Sequence, residues 1–170
     1  MLIGKNPLNE APEWFVKNIL NRPEECSVLI NGSNIKYYIW GDKSKKPLLL
    51  LHGYNAHSFW WDHIAPSLTN DHCVVALDFS GMGESDRREE YSQEIFVDDV
   101  KGVMNDLSWN SCTCIAHSMG GSIATLATFI YPKIFDHLIL LDSMIVIPPN
   151  VAERMASNRP SARMVVASPD

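Results

Sequence analysis

The sequence predicts an α/β fold built on a mostly parallel sheet, and three features predict it. Residues 47–51, 74–77 and 138–141 are short apolar runs with no polar alternation. A strand apolar on both sides is one buried on both faces, as parallel sheets require. From about residue 47 onward such runs alternate with segments of helical periodicity. The chain has 170 residues, a length that suits one domain hiding roughly 70% of its unfolded surface.

Each element has its own signal. Pro12-Glu13-Trp14-Phe15-Val16 opens a short helix, with a proline and an acid in its first turn. Residues 26–30 and 35–40 are β-prone runs around Asn31-Gly32-Ser33-Asn34, a hairpin signal. After the strand at 47–51, residues 58–68 are expected to form a helix with Trp60, Trp61, Ile64 and Leu68 on its apolar side. The strand at 74–77 ends at Asp78, and a polar, glycine-containing loop runs over 79–90. Phe96, Val100, Val103 and Leu107 recur at helical spacing. Glu94, Asp98 and Asp99 lie near that helix's N-terminus, where the dipole favours acids. Residues 112–116 read as a strand, 119–130 as a helix and 138–141 as a further strand ending at Asp142-Ser143. Cys112 and Cys114, two apart in a strand, share one face and read as core; a metal pair is the sharper alternative.

Composition removes several classes of function. Lys plus Arg number 14 against 20 acids, for a net charge of −6. The closest thing to a basic cluster, Lys43, Lys45 and Lys46, reads as a solvated turn. No nucleic-acid partner is expected. No apolar run approaches the ~20 residues that span a bilayer, and residues 1–15 lack the pattern of a signal peptide. A cytoplasmic protein without a membrane span is therefore expected.

The chemistry-bearing motif is Ala116-His117-Ser118-Met119-Gly120-Gly121, lying between a strand and a helix. A serine on a tight strand-to-helix turn has its hydroxyl thrust clear of the sheet. The residues two before and two after it come close together, and Ala116 and Gly120 are small enough. Met119 opens the helix, so its backbone N–H points to where an oxyanion forms. A structural serine in a sharp turn is the bland alternative.

With these residues in view, the chain resembles the N-terminal part of an α/β-hydrolase of the esterase, epoxide-hydrolase and C–C-hydrolase kind. Three motifs carry the resemblance in order: His52-Gly53-Tyr54, then Asp78-Phe79-Ser80-Gly81-Met82-Gly83-Glu84-Ser85-Asp86, then the elbow at Ser118. Ala116 stands where the commonest pattern has glycine. The resemblance implies Ser118 as nucleophile, the backbone N–H groups of Tyr54 and Met119 as oxyanion hole, and no cofactor or metal. Epoxide hydrolases of this fold place aspartate at the elbow, so serine points to acyl chemistry on a small-molecule ester or related compound.

In this fold the base and acid follow the serine in the order Ser, Asp or Glu, His. Of six histidines, only His137 follows Ser118, and it sits at the N-terminal end of its strand, away from the elbow. His117 is expected to point away from Ser118, and the resemblance gives His52 a supporting role in the loop. Asp142 is a candidate triad acid, with loop capping the favoured alternative. Asp78 reads as a turn-stabilising carboxylate, and Trp60 and Trp61 as core ahead of pocket lining.

The expectation is an α/β-hydrolase fold lacking its last two strands, truncated before the triad acid and histidine. Residues 1–25 would be an N-terminal helical extension, 26–143 the incomplete core and 144–170 the start of a cap-like segment. The strand at 138–141 would be an uncovered edge prone to self-association. The rival readings are a non-catalytic hydrolase-fold ligand-binding module and an inactive fragment.

Overall fold

Asn31 and Gly32 both have positive φ, 48° and 81°, which is what a two-residue hairpin turn needs to match the twist of its strands. They join β1 (Glu24–Ile30) to β2 (Ser33–Trp40), with Ile30 opposite Ser33. The computed structural model describes residues 10–143. Beyond the hairpin come β3 (Lys46–Leu51), β4 (His72–Leu77), α2 (Gln93–Asp106), β5 (Cys112–His117), α3 (Met119–Ile130) and β6 (Phe135–Leu141). Before it lies α1 (Glu13–Leu20). The expected segment from 144 to 170 lies outside the described residues.

The six strands form one sheet in the order β1-β2-β4-β3-β5-β6. β1, β2 and β4 pair antiparallel, whereas β4, β3, β5 and β6 run parallel. Both faces of the centre are covered, which is why β3 and β4 read as continuous apolar runs. On one face Leu49, Leu51, Val75, Leu77 and Cys114 pack against Phe96, Val100 and Val103 of α2 and Ile123 and Ala127 of α3. On the other, Leu48, Leu50, Val74 and Ala76 meet Tyr38, Trp40, Trp61 and Ala65. Each such leucine contributes roughly 1.5–3 kcal/mol by burial. Cys112 and Cys114 are fully buried on the same face, the core placement expected of them; burial pushes the Cys112 thiol up to about 12. Helix α1 docks through Asn18, whose Nδ2 donates to His63 O at 2.8 Å and Ser67 Oγ at 2.7 Å.

Three expectations need correction. Residues 58–68 form no α-helix but two separate 3-10 turns, Ser58–Trp61 and Ala65–Leu68. Asp78 pins the first turn by accepting from Ser58 N and Oγ, both at 2.6 Å, and Pro66 has no N–H to continue a helical ladder. Of the four residues expected on one apolar side, Trp61 is buried while Trp60 and Ile64 are 52% and 41% exposed, so Trp60 is not core. Asp99, expected near the helix N-terminus where the dipole favours acids, falls in the second turn of α2 and is fully buried. Strand β6 is covered on one face only. Leu138 and Leu140 pack toward the core, but Ile139 and Leu141 are 46% and 41% exposed, because β6 is the outermost strand and α3 overlies just one of its faces. No helix among the described residues is long and apolar enough to cross a membrane.

Candidate active site

The chain leaves β3 toward β4 on one side, then returns through α2 to place β5 on the other. Ligands of open α/β sheets bind at such reversals, beyond the C-terminal ends of the strands. Leu51 of β3 pairs with Ala116 of β5, so the segments His52-Gly53-Tyr54 and His117-Ser118-Met119 emerge side by side there. Spacing within the two motifs thus becomes adjacency in space.

Ser118 has φ 51° and ψ −116°, a conformation that costs a non-glycine residue about 1–3 kcal/mol. Its surroundings hold it there. Its N–H donates to Leu141 O at 3.0 Å, and its own carbonyl accepts from Gly121 N at 3.0 Å and Ser122 N at 3.3 Å. A Cβ at Gly120 would stand 2.6 Å from His52 O and 2.8 Å from Leu51 O. The neighbour that demands glycine is therefore the end of β3. Ala116, expected to be that neighbour, lies in the core beneath. At Gly53 a Cβ would come within 3.2 Å of Ser118 Cβ and 3.0 Å of His117 Nδ1. A Cβ at Gly121 would run into Ser143 Oγ.

Met119 is the first residue of α3, so its N–H has no acceptor within the helix and carries the positive end of the dipole. Among the described residues, neither Met119 N nor Tyr54 N donates to a backbone carbonyl. Both are the expected oxyanion donors. The Tyr54 side chain is 76% exposed.

His52 is fully buried. Its Nδ1 lies 2.7 Å from Gly53 O, and its Nε2 accepts from Phe79 N at 3.2 Å. That pattern sets the proton on Nδ1. Burial holds the imidazole below its ordinary pKa. Both nitrogens are committed to tying the loop after β3 to the loop after β4, which leaves none for a serine proton. Asp78 is equally committed: besides Ser58, it accepts from Glu84 N at 2.8 Å, and its carboxylate fills the space a side chain at Gly83 would need. This is the turn-stabilising arrangement expected of it.

The remaining candidates stay apart from Ser118. His137 pairs with Thr113 at the start of β5, the wrong end of the sheet. His117 turns onto Trp60, stacked at 5.5 Å and 15°. Asp142 follows β6 with φ 48°, exposed, and its side chain bonds to no other described residue. Among the described residues Ser118 Oγ likewise has no hydrogen-bond partner.

One assembly escaped the motif reading. Arg88 donates from Nε to Ser80 Oγ at 2.9 Å and from its terminal nitrogens to Asn31 O at 3.1 Å and Ile30 O at 2.9 Å. It also pairs with Asp99 Oδ1 at 3.0 Å, and Asp99 Oδ2 accepts from Ser80 N at 2.9 Å and from Ser80 Oγ. Burial pushes the Asp99 carboxyl upward, against the pull of its Ser80 and Arg88 partners. The network clamps the loop after β4 onto the hairpin turn and α2. A signal was available: Asp99 falls on the same helical stripe as Phe96 and Val103.

The sequence profile of the alpha/beta hydrolase fold family matches residues 46–166. A serine hydrolase-like protein of Danio rerio is 34% identical over 138 residues, covering 79% of this chain and 42% of that protein. Epoxide hydrolase 4 of Mus musculus is 34% identical over 131 residues, covering 72% of this chain and 36% of its own length. The chain thus spans about two-fifths of the length of these curated relatives. Among solved structures, a membrane phospholipase A superposes with a TM-score of 0.74 at 28% identity, over 84% of this chain and 48% of that one. A shared profile across most of the sheet, with relatives named as hydrolases, makes the chain a member of the alpha/beta hydrolase fold family and a hydrolase by family resemblance.

Proposed function

We propose that Ser118 is the nucleophile of a serine hydrolase that cleaves a carboxylic ester or related acyl compound through an acyl-enzyme. The observation that carries this reading is the strained Ser118 backbone at the tip between β5 and α3. Strain of that kind persists only where surrounding structure over-determines it, and it clusters at active sites. Serine at the elbow separates this reading from epoxide opening, even though relatives bear that name.

In the proposed reaction Ser118 Oγ adds to the substrate carbonyl, and the oxyanion is held by the N–H groups of Tyr54 and Met119. Collapse expels the alcohol, and water then hydrolyses the acyl-serine. Each oxyanion donor is worth roughly 100- to 1,000-fold in rate. A serine at its free pKa needs a base; His52 has both nitrogens engaged, His117 stacks on Trp60, and His137 lies at the other end of the sheet. The proton acceptor is expected outside the described residues; Asp142, directly after β6, is the candidate acid whose side chain is not already committed, as that of Asp78 is. The engagement of His52 and the remoteness of His137 favour the second reading, a hydrolase-fold module that binds an acyl ligand without turning it over.

The test joins residues 1–143 to the later strands of a close relative that carries the acid and histidine. The fusion is expected to hydrolyse short p-nitrophenyl esters, and Ser118→Ala to lower the rate by at least about a thousandfold. The unfused chain should react only slowly with a fluorophosphonate. A folded fusion that is inactive, and binds a boronate no better than its Ser118→Ala variant, would hand precedence to the ligand-binding reading.

A further inference from the structure

Trp60 is an aromatic side chain that the sequence places in the core and the structure places at the site. It lies in the 3-10 turn Ser58–Trp61, over the C-terminal ends of the strands, and is 52% exposed. Its indole lies nearly parallel to the His117 imidazole, centroids 5.5 Å apart with 15° between planes. His117 is the residue before Ser118, and its other neighbour is Gly53, where a Cβ would come within 3.0 Å of Nδ1. Among the described residues that buried Nδ1 has no hydrogen-bond partner. The ring is held, among the described residues, by contact between Gly53 and the indole of Trp60.

This geometry has a consequence for substrate choice. One face of Trp60 rests on His117 and the residue as a whole remains half open to solvent. Tyr54, which carries one proposed oxyanion donor, exposes a second aromatic ring on the neighbouring loop. Trp60 thus presents the free face of an indole beside the residue that precedes Ser118, with Tyr54 exposed on the adjacent loop. An exposed ring face binds a flat π-system by stacking. We infer that Trp60, seated on His117, is the specificity-determining platform for a substrate bearing a planar aryl group. The inference rests on Ser118 marking the site, and it names the substrate class of that site.

The test measures binding, so it does not depend on turnover. The full chain is titrated with two neutral amides, phenylacetamide and hexanamide, followed by ligand-observed NMR. Stacking predicts that phenylacetamide binds about two- to tenfold tighter than hexanamide. Trp60→Leu, which keeps apolar bulk without a ring, should remove that preference and leave hexanamide within about twofold of wild type, while Trp60→Phe should keep most of it. The His117 ring-proton resonances should move in Trp60→Leu as the indole ring current is lost, which reports the stack directly. Ser118→Ala should leave the aryl preference intact, so failure of the nucleophile reading and failure of the platform give different patterns. The platform is overturned if wild type shows no aryl preference or no measurable phenylacetamide binding. It is equally overturned if the preference survives Trp60→Leu, or if that change weakens both amides alike.

Discussion

At the scale of single residues, His52 separates chemistry from architecture. A histidine next to the Gly53-Tyr54 loop invites a catalytic role, yet both its nitrogens are engaged, with Gly53 O and Phe79 N. Its pKa lies below the ordinary 6.5 because burial disfavours the imidazolium. The unfolded chain therefore binds a proton at a higher pH than the folded one. Stability from this group is fully present above about pH 6.5 and is lost as the pH falls toward the depressed folded value, at up to about 1.4 kcal/mol per pH unit. His52→Gln, whose side-chain oxygen can still accept from Phe79 N–H, should flatten urea-unfolding stability between pH 6.5 and 5 relative to wild type. Equal slopes in the two proteins would show that His52 does not carry this dependence.

At the scale of elements, the loop after β4 owes its shape to a buried charge pair between its own Arg88 and Asp99 of α2. Arg88 and Asp99 have side chains only 9% and 0% exposed, and removing one partner of such a pair typically costs about 3–5 kcal/mol. Arg88→Met should therefore destabilise strongly. In Arg88→Met/Asp99→Leu the uncompensated carboxylate is gone as well, and much of the loss should be regained. A double variant as unstable as the sum of the singles would mean the pair is not coupled. The helix itself was legible from Phe96, Val100 and Val103, and Ser92 caps it by accepting from Ile95 N at 3.3 Å. The turns at 58–68 were not legible as turns. An aromatic-rich apolar spacing suggests a helix, but Asp78, twenty residues beyond Ser58, competes for the backbone that a helix would use.

At the scale of the whole molecule, the described sheet is asymmetric. Its centre is covered twice, while β6 carries Ile139 and Leu141 outward at one margin. Apolar edge strands with open backbone groups pair with other chains. Sedimentation velocity should show concentration-dependent association of the chain, and Ile139→Lys should shift it toward monomer, since a charge on an edge strand opposes pairing. One sharp monomer boundary at all concentrations of the wild-type chain would refute this.

What the sequence by itself determined is the layered α/β order, because continuous apolar strands and helical stripes are local patterns set by which faces must be buried. It also singled out Ser118 and Met119, since an elbow is a strand, a turn and a helix in immediate succession, whereas Tyr54 came from the family resemblance. Only the tertiary structure decided what surrounds them. Gly120 is small for the sake of His52 O and Leu51 O, carbonyls about seventy residues earlier in the chain. Arg88 finds Asp99 only when the loop after β4 folds back over α2. Trp60 leaves the core for the site because Asp78 and Pro66 break the helix that would have buried it. Each of these depends on a contact between distant segments, and local periodicity carries no record of which distant atom will arrive.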